Sequence, residues 1–185
     1  MTKANTGKQL EYEVSASLRA IGDRTPDFWW KRYPDYRDFI AINKKLRAPR
    51  APADFIALCR GVFIALEAKS TLGTRFNFTW LKDHQLKSLL DIEDAGGKSY
   101  ILFSKRVGRG EKRNVLKAWA IPVRAYAQME IAHINLKRPR KSAKIKEMAN
   151  IGIELKRLPG SMWDFTPMIE DALSVKQSKI GEQDE

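Results

Sequence analysis

Two short apolar segments separated by a tight-turn signal constrain the fold of this chain more than any other feature. Residues 54–59 and 62–69 are rich in side chains that favour β-strands, and Arg60-Gly61 lies between them. This pattern predicts a β-hairpin with a two-residue turn, because glycine readily adopts the backbone conformation that such a turn requires. A turn of that length fixes which residues of the two strands face each other.

The resulting register places two carboxylates on one face of the sheet. Asp54 lies opposite Glu67, at a separation of about 4.5 to 5.5 Å, and Lys69 points to the same face because strand side chains alternate with a period of two. Opposed like charges destabilise a sheet unless they are neutralised, and Lys69 offsets only one of them. The pair therefore favours a site for a hard divalent cation, Mg²⁺ or Mn²⁺. The alternative is a structural role, in which these residues are strand ends that reach solvent and Lys69 is a simple salt-bridge partner.

Two further polar residues can join this cluster. Residues 8–21 carry apolar side chains at helical spacing, and Glu11 borders their core-facing stripe, whereas Glu13 is predicted to point away. Gln85 lies on the apolar stripe of another predicted helix, 81–94. Either residue alone has a simpler explanation, since an acid near a helix start interacts with the helix dipole and a boundary glutamine commonly bonds the backbone.

Helical and strand patterns alternate along the rest of the chain. The predicted helices are residues 8–21, 81–94, 122–132, the basic segment 137–147 and 164–175, and the strands outside the hairpin are 28–32, 99–104 and 115–121. Short apolar strands flanked by helices predict an α/β fold with a central mixed β-sheet flanked by helices.

The composition is that of a globular protein with a positive charge. The chain has 185 residues, of which 43% are apolar, and a formal net charge of +12. This length predicts one compact domain. No apolar run approaches the roughly 18 to 20 residues of a membrane span, and the first twenty residues are polar, unlike a signal sequence, so the expected location is the cytoplasm. The lone Cys59 excludes an intramolecular disulfide framework and predicts a buried thiol.

The positive charge is concentrated in three segments, residues 31–50, 105–117 and 137–157, and the rest of the chain is mildly acidic. Each segment alone could be a solvated face, but three of them favour a shared surface for a polyanion. Charge alone does not distinguish DNA from RNA or from an anionic membrane surface. Gly108-Arg109-Gly110 is too short to cradle a phosphate, and no organic cofactor is expected.

The polar residues of the hairpin belong to a recognisable pattern. Pro52-Ala53-Asp54 followed by Glu67-Ala68-Lys69 resembles the signature of PD-(D/E)xK nucleases. The segment from Gly7 to Glu11 resembles the GxxxE opening of Holliday-junction resolvases. The segment 67–71, together with Phe76-Asn77-Phe78 and His84-Gln85, resembles the RecU-type branch, and the similarity covers residues 5–104.

This resemblance implies a restriction-endonuclease-like core and Mg²⁺-dependent phosphodiester hydrolysis, with Mn²⁺ as a substitute. It implies that Asp54 and Glu67 are the principal metal ligands, that Glu11 is a further ligand, directly or through water, and that the Ala68 carbonyl is another possible ligand. Lys69 would orient or activate the attacking water and stabilise the transition state, and Gln85 would position water or substrate. Two symmetric cuts in a two-fold DNA substrate imply a homodimer.

The expected DNA contacts are basic residues on both sides of the motifs: Lys8, Lys44, Lys45, Arg47, Arg50, Arg75, Arg138, Arg140 and Lys141. RecU-type enzymes carry a long stalk before the aspartate motif, whereas the corresponding interval here, 33–50, is short. The predicted organisation is a nuclease core over residues 1–135 and a basic C-terminal extension over 136–185.

The sequence thus predicts a DNA-associated endodeoxyribonuclease that resolves Holliday junctions or branched DNA. One alternative is another PD-(D/E)xK nuclease, acting in restriction, repair or end processing. The other is a non-catalytic DNA-binding protein that assists recombination.

Overall fold

A computed structural model describes residues 6–33, 51–106 and 116–180 of the chain. Its helices are α1 (Thr6–Gly22), α2 (Asp83–Asp94), α3 (Val123–Ile134), α4 (Ile145–Asn150) and α5 (Thr166–Ile180). Its strands are β1 (Phe28–Arg32), β2 (Phe55–Cys59), β3 (Val62–Thr71), β4 (Arg75–Asn77), β5 (Lys98–Lys105), β6 (Lys117–Pro122), β7 (Ser142–Lys144), β8 (Ile153–Leu155), β9 (Arg157–Leu158) and β10 (Met162–Trp163). Short 3₁₀ turns occupy Phe78–Trp80 and Pro159–Ser161.

Six strands form a central mixed sheet in the order β1-β2-β3-β5-β6-β8. β3 and β5 are parallel, and the other neighbouring pairs are antiparallel. The remaining strands form two small ribbons, β4 with β7 and β9 with β10. The predicted α/β fold with a central mixed sheet flanked by helices is confirmed.

Helices cover both faces of this sheet. On one face, Leu10, Val14 and Leu18 of α1 are buried at successive turns, and they pack with Leu66 and with residues of α5. On the other face, α2 and α3 contribute residues to a second cluster that contains Ile101 of β5. The sheet is therefore a layer between two apolar cores, and a polar side chain on either face is buried unless it lies near a strand end.

The β2–β3 hairpin has the predicted register. Arg60 and Gly61 form its turn with φ angles of 48° and 73°, and the ladder runs from Cys59↔Val62 to Phe55↔Leu66. Positive φ at both turn positions is the requirement of the tight turn that matches strand twist. Asp54 directly precedes β2, and the same register places it next to Glu67.

The C-terminal third differs from the prediction in one helix. Residues 142–144 form β7 rather than part of a helix over 137–147, and α4 begins only at Ile145. The reason is tertiary: Ala143 pairs with Phe76 of β4, and both side chains are fully buried. β8 adds a further strand to the central sheet beside β6.

Cys59 is buried, as predicted, with 2% of its surface exposed. Within the ranges that the structure describes, no helix is both long and apolar enough to cross a bilayer.

A buried ion-pair network ties α1 to distant parts of the chain. Glu13 is 1% exposed and accepts hydrogen bonds from the Arg106 guanidinium at 2.9 and 2.8 Å, from Arg157 at 3.1 Å and from Trp163 Nε1 at 3.0 Å. The expectation that Glu13 points away from the core is therefore wrong. Burial raises the pKa of Glu13, but the hydrogen bonds from Arg106 and Arg157 outweigh it and hold the pKa below its ordinary value.

We predict that Glu13→Gln lowers the free energy of unfolding at pH 7 by about 3 kcal/mol, because it leaves Arg106, which is 4% exposed, buried without a counter-charge and also removes the partner of Arg157. Since the pKa of Glu13 is lower in the folded state, its stabilisation is complete above the unfolded pKa and is lost as the pH falls through the folded pKa. Urea unfolding from pH 7 to pH 3 should therefore show the difference between wild type and variant shrinking.

The matched control is Glu154→Gln, which removes the carboxylate of an exposed pair with Lys117. Its expected cost is below about 1 kcal/mol. If the two variants lowered the free energy of unfolding by the same amount, the Glu13 network would contribute no more to stability than a surface ion pair.

Candidate active site

The hairpin brings Asp54 and Glu67 together at the edge of its ladder. The Oδ2 atom of Asp54 accepts a hydrogen bond from the backbone N–H of Ala68 at 2.8 Å. Asp54 is therefore fixed to the strand residue that follows Glu67. This contact agrees with the predicted cross-strand pairing. The ladder ends at Phe55↔Leu66, and one position beyond it Asp54 would lie opposite Glu67.

Glu67 is a buried carboxylate that is held by two side chains. It is 1% exposed, and its Oε1 atom accepts hydrogen bonds from Lys69 Nζ and from Gln85 Nε2, each at 2.5 Å. Lys69 reaches it because residues two apart on a strand share a face. Glu67 Oε2 is also buried and lacks a hydrogen-bond partner of normal geometry among the described residues.

Gln85 has two roles at the start of α2. Its Oε1 atom accepts a hydrogen bond from the backbone N–H of Lys82 at 3.0 Å, which is half of a helix capping box. The amide group is thereby oriented so that its nitrogen faces Glu67. In the sequence, this residue was notable as a glutamine on an apolar stripe. In the structure, its side chain connects the start of α2 with Glu67 of β3.

Electrostatics make the charged form of Glu67 unfavourable. Burial, and next the nearby Asp54 carboxylate, raise the pKa of Glu67 to about 7, although Lys69 acts in the opposite direction. A raised pKa means that a proton or a cation near this carboxylate is stabilising.

The residues present fit a hard divalent cation. They offer two adjacent carboxylates, and one buried carboxylate oxygen has no partner of normal geometry in the described part of the chain. Mg²⁺ is commonly bound by one or two carboxylates with water completing its coordination. Among residues 6–33, 51–106 and 116–180, no group of three or more His, Cys, Asp and Glu side chains is placed to hold a metal, so protein carboxylates would supply only part of the coordination.

Glu11 belongs to α1, which packs on the face of the sheet that carries Leu66. It forms an ion pair with Arg32, whose ladder partner Phe55 is packed in the core beneath α1. Gln85, by contrast, approaches from the side of α2. The structure brings together Asp54, Glu67, Ala68, Lys69 and Gln85, and the ligand role of Glu11 stays a prediction.

The predicted DNA contacts occupy several surfaces. Lys8 is exposed on α1, and Arg75 of β4 donates hydrogen bonds to Ser142 of β7. Ser142 has no sequence signal that would have indicated this role. Arg138, Arg140 and Lys141 are exposed in the segment that leads into β7. The other four predicted contacts lie outside the described residues: Lys44, Lys45, Arg47 and Arg50.

A protein-family model agrees with the motifs of the hairpin and of the segment that follows it. The model of the family described as RecU, Recombination protein U, matches residues 35–171. Among solved structures, the chain is similar to Hjc, a Holliday junction resolvase from the archaeal hyperthermophile Archaeoglobus fulgidus, with 14% sequence identity and a TM-score of 0.43. That similarity covers 76% of this chain and 91% of the other. No curated protein is similar enough to count as a match.

We predict that Asp54→Asn lowers the pKa of Glu67 to a value between 4.5 and about 7, because it removes the second cause of the raised pKa and leaves burial in place. Carbon-13 NMR titration of the glutamate carboxyl groups in metal-free protein measures this pKa. Asp91→Asn is the control, since Asp91 pairs with Lys87 on the exposed surface of α2. An unchanged Glu67 pKa in Asp54→Asn would mean that the two carboxylates do not interact.

Proposed function

The chain belongs to the RecU family of Holliday-junction resolvases, and on that premise we propose that it is a divalent-metal-dependent endodeoxyribonuclease. Its proposed reaction is paired phosphodiester hydrolysis at four-way or otherwise branched DNA, in the cytoplasm, by a homodimer. The observation that carries this proposal is the buried Glu67 carboxylate, which lies beside Asp54 and is contacted by Lys69 and Gln85.

Asp54 and Glu67 would hold Mg²⁺ or Mn²⁺, with the Ala68 carbonyl and Glu11, the latter directly or through water, as further proposed ligands. A bound divalent ion lowers the pKa of water and neutralises negative charge on a phosphate. Asp54 is positioned for this by the Ala68 N–H, and Glu67 by Gln85. The protein therefore presents both carboxylates without needing to reorganise the strands.

Lys69 is the proposed catalytic cation. Its ammonium group lies against Glu67, and its side chain is 17% exposed, so it is accessible from the surface at which a DNA phosphate would approach. There it would orient the attacking water and stabilise the charge that develops on the phosphate. Gln85 is the proposed positioning residue for water or substrate, since its amide touches Glu67.

Substrate affinity is proposed to come from the positive charge of the chain. A net charge of +12 supplies sequence-independent attraction to phosphates that weakens steeply with salt. Lys8, Lys44, Lys45, Arg47, Arg50, Arg75, Arg138, Arg140 and Lys141 are the proposed contacts. Such contacts position DNA without reading its sequence.

We expect Lys69→Met to slow Mg²⁺-dependent cleavage of a labelled four-way junction by about 10² to 10⁴-fold while junction binding in EDTA is retained. Lys87→Met is the matched control, because Lys87 is an exposed lysine paired with Asp91 on α2. Wild-type rates for Lys69→Met would exclude its proposed role.

A wild-type protein that binds junctions but never cuts them with Mg²⁺ or Mn²⁺ would indicate an accessory protein, and equal cutting of linear duplex would indicate a general nuclease.

Paired hydrolysis predicts the product formed from a supercoiled plasmid that extrudes a cruciform. Two cuts within the lifetime of one complex give linear DNA, whereas independent cuts give nicked circles first. Wild-type dimers should yield mainly linear product, and mixed dimers with one Asp54→Asn subunit should yield nicked circles. Gel analysis of early time points distinguishes these products, and nicked circles from the wild type would contradict paired cutting.

A further inference from the structure

The ribbon formed by β4 and β7 joins the basic C-terminal segment to the catalytic half of the chain. Arg75 pairs with Lys144, and Phe76 pairs with Ala143. Phe76 and Ala143 are completely buried in the core cluster of the α2 side. Arg75 is held across the ribbon by hydrogen bonds to Ser142 at 2.7 and 2.9 Å. The ribbon is thus anchored on the face of the sheet that carries Glu67.

One strand of the ribbon, β4, follows the candidate active site closely in the sequence. Arg75 follows Lys69 by six residues, so their Cα atoms are at most about 20 Å apart. Beyond β4, the 3₁₀ turn Phe78–Trp80 leads directly into α2, which carries Gln85. A DNA strand with a phosphate at Lys69 would therefore have its neighbouring phosphates within reach of the ribbon.

Positive charge predominates on this surface. Residues 137–144 contain five Lys and Arg side chains and no acid. Of these five, only Arg140 lies at ion-pair distance from a carboxylate of the described residues, at 3.9 Å from Glu147. Lys87 and Lys117, elsewhere on the surface, are both paired with carboxylates. Among the described residues, Glu147 is the carboxylate that interacts with this group, through Arg140 and Lys144. The remaining surplus of positive charge favours a polyanionic partner.

An exposed aromatic ring borders the same surface. Trp80 is 37% exposed, and its ring packs edge-on against the buried Phe76 with a centroid distance of 5.5 Å. Two residues earlier, the Phe78 N–H donates to the Lys141 carbonyl at 3.1 Å, which places the turn beside the basic segment. A supported aromatic ring next to cations is a typical stacking platform for nucleic-acid bases.

We propose that this ribbon binds the sugar-phosphate backbone of one DNA arm through Arg138, Lys141 and Lys144, and that Trp80 stacks on a base at the branch point. The proposal rests on the proposed function, since it assigns branched DNA to the same site. Bases inside a duplex are covered on both faces by their neighbours, whereas a base at a branch point can present a free face. Trp80 then supplies branch selectivity in a chain whose stalk interval is short.

Salt dependence tests the backbone contacts. Binding of four-way junction and of linear duplex is measured in EDTA at several salt concentrations for wild type, Lys141→Ala/Lys144→Ala and the control Lys87→Ala/Lys117→Ala. Both double variants lower the net charge equally. The slope of log affinity against log salt should become shallower by about 2 for the ribbon variant on both DNAs and stay unchanged for the control. An unchanged slope for the ribbon variant, or equal changes in both variants, overturns the proposal.

The stacking contact has a different signature. Trp80→Ala should weaken junction binding on the order of 10-fold and leave duplex binding and the salt slope unchanged. Trp80→Phe should restore most of the junction affinity, and thermal unfolding verifies that both variants are folded. Equal losses on junction and duplex, or a Phe variant as weak as the Ala variant, overturn the role of Trp80. Because binding is measured in EDTA, a wild type that binds in this way but does not cleave contradicts only the proposed function.

Discussion

The register of the β2–β3 hairpin determines every contact at the candidate active site. It is set by a two-residue turn in which Arg60 and Gly61 both have positive φ. A slip of one residue would turn Glu67 and Lys69 toward α1 and separate them from Gln85, because side chains alternate between the two faces. The ladders that β3 forms with β2 and with β5 bury many apolar side chains and make such a slip costly, so packing of the whole sheet maintains the local geometry of the site.

Two equally buried glutamates have pKa values that are shifted in opposite directions, because their neighbours differ. Glu13 and Glu67 are each 1% exposed. The partners of Glu13 are two arginines and a tryptophan N–H, and its pKa is lowered. Glu67 accepts hydrogen bonds from Lys69 and Gln85 and lies beside Asp54, and its pKa is raised to about 7. The first carboxylate is compensated within the protein and joins elements together, whereas a cation bound near the second would stabilise its charged form, which is the property expected of a metal ligand.

The sequence predicted the parts of the site that depend on local pairing. Asp54, Glu67 and Lys69 follow from a hairpin whose turn and strands are contiguous, and Gln85 follows from an unusual position on a helix. Glu13 was mispredicted because Arg106 and Arg157 are 93 and 144 positions away, and no local pattern indicates such partners. Strand β7 was mispredicted for a related reason. It is three residues long, and it pairs with β4, from which β5 and β6 separate it in the chain. Strands this short carry no periodicity, so only tertiary packing determines them.

The most direct measurement of whether Asp54 and Glu67 share a cation is a crystal structure of the Mn²⁺-soaked protein with anomalous scattering from manganese. The account predicts an anomalous peak that contacts a carboxylate oxygen of each residue at about 2.1 Å, and it predicts that the peak is lost in Asp54→Asn. An anomalous peak at another site would contradict the account. So would a structure without Mn²⁺ at these carboxylates, in which Glu67 contacts only Lys69 and Gln85.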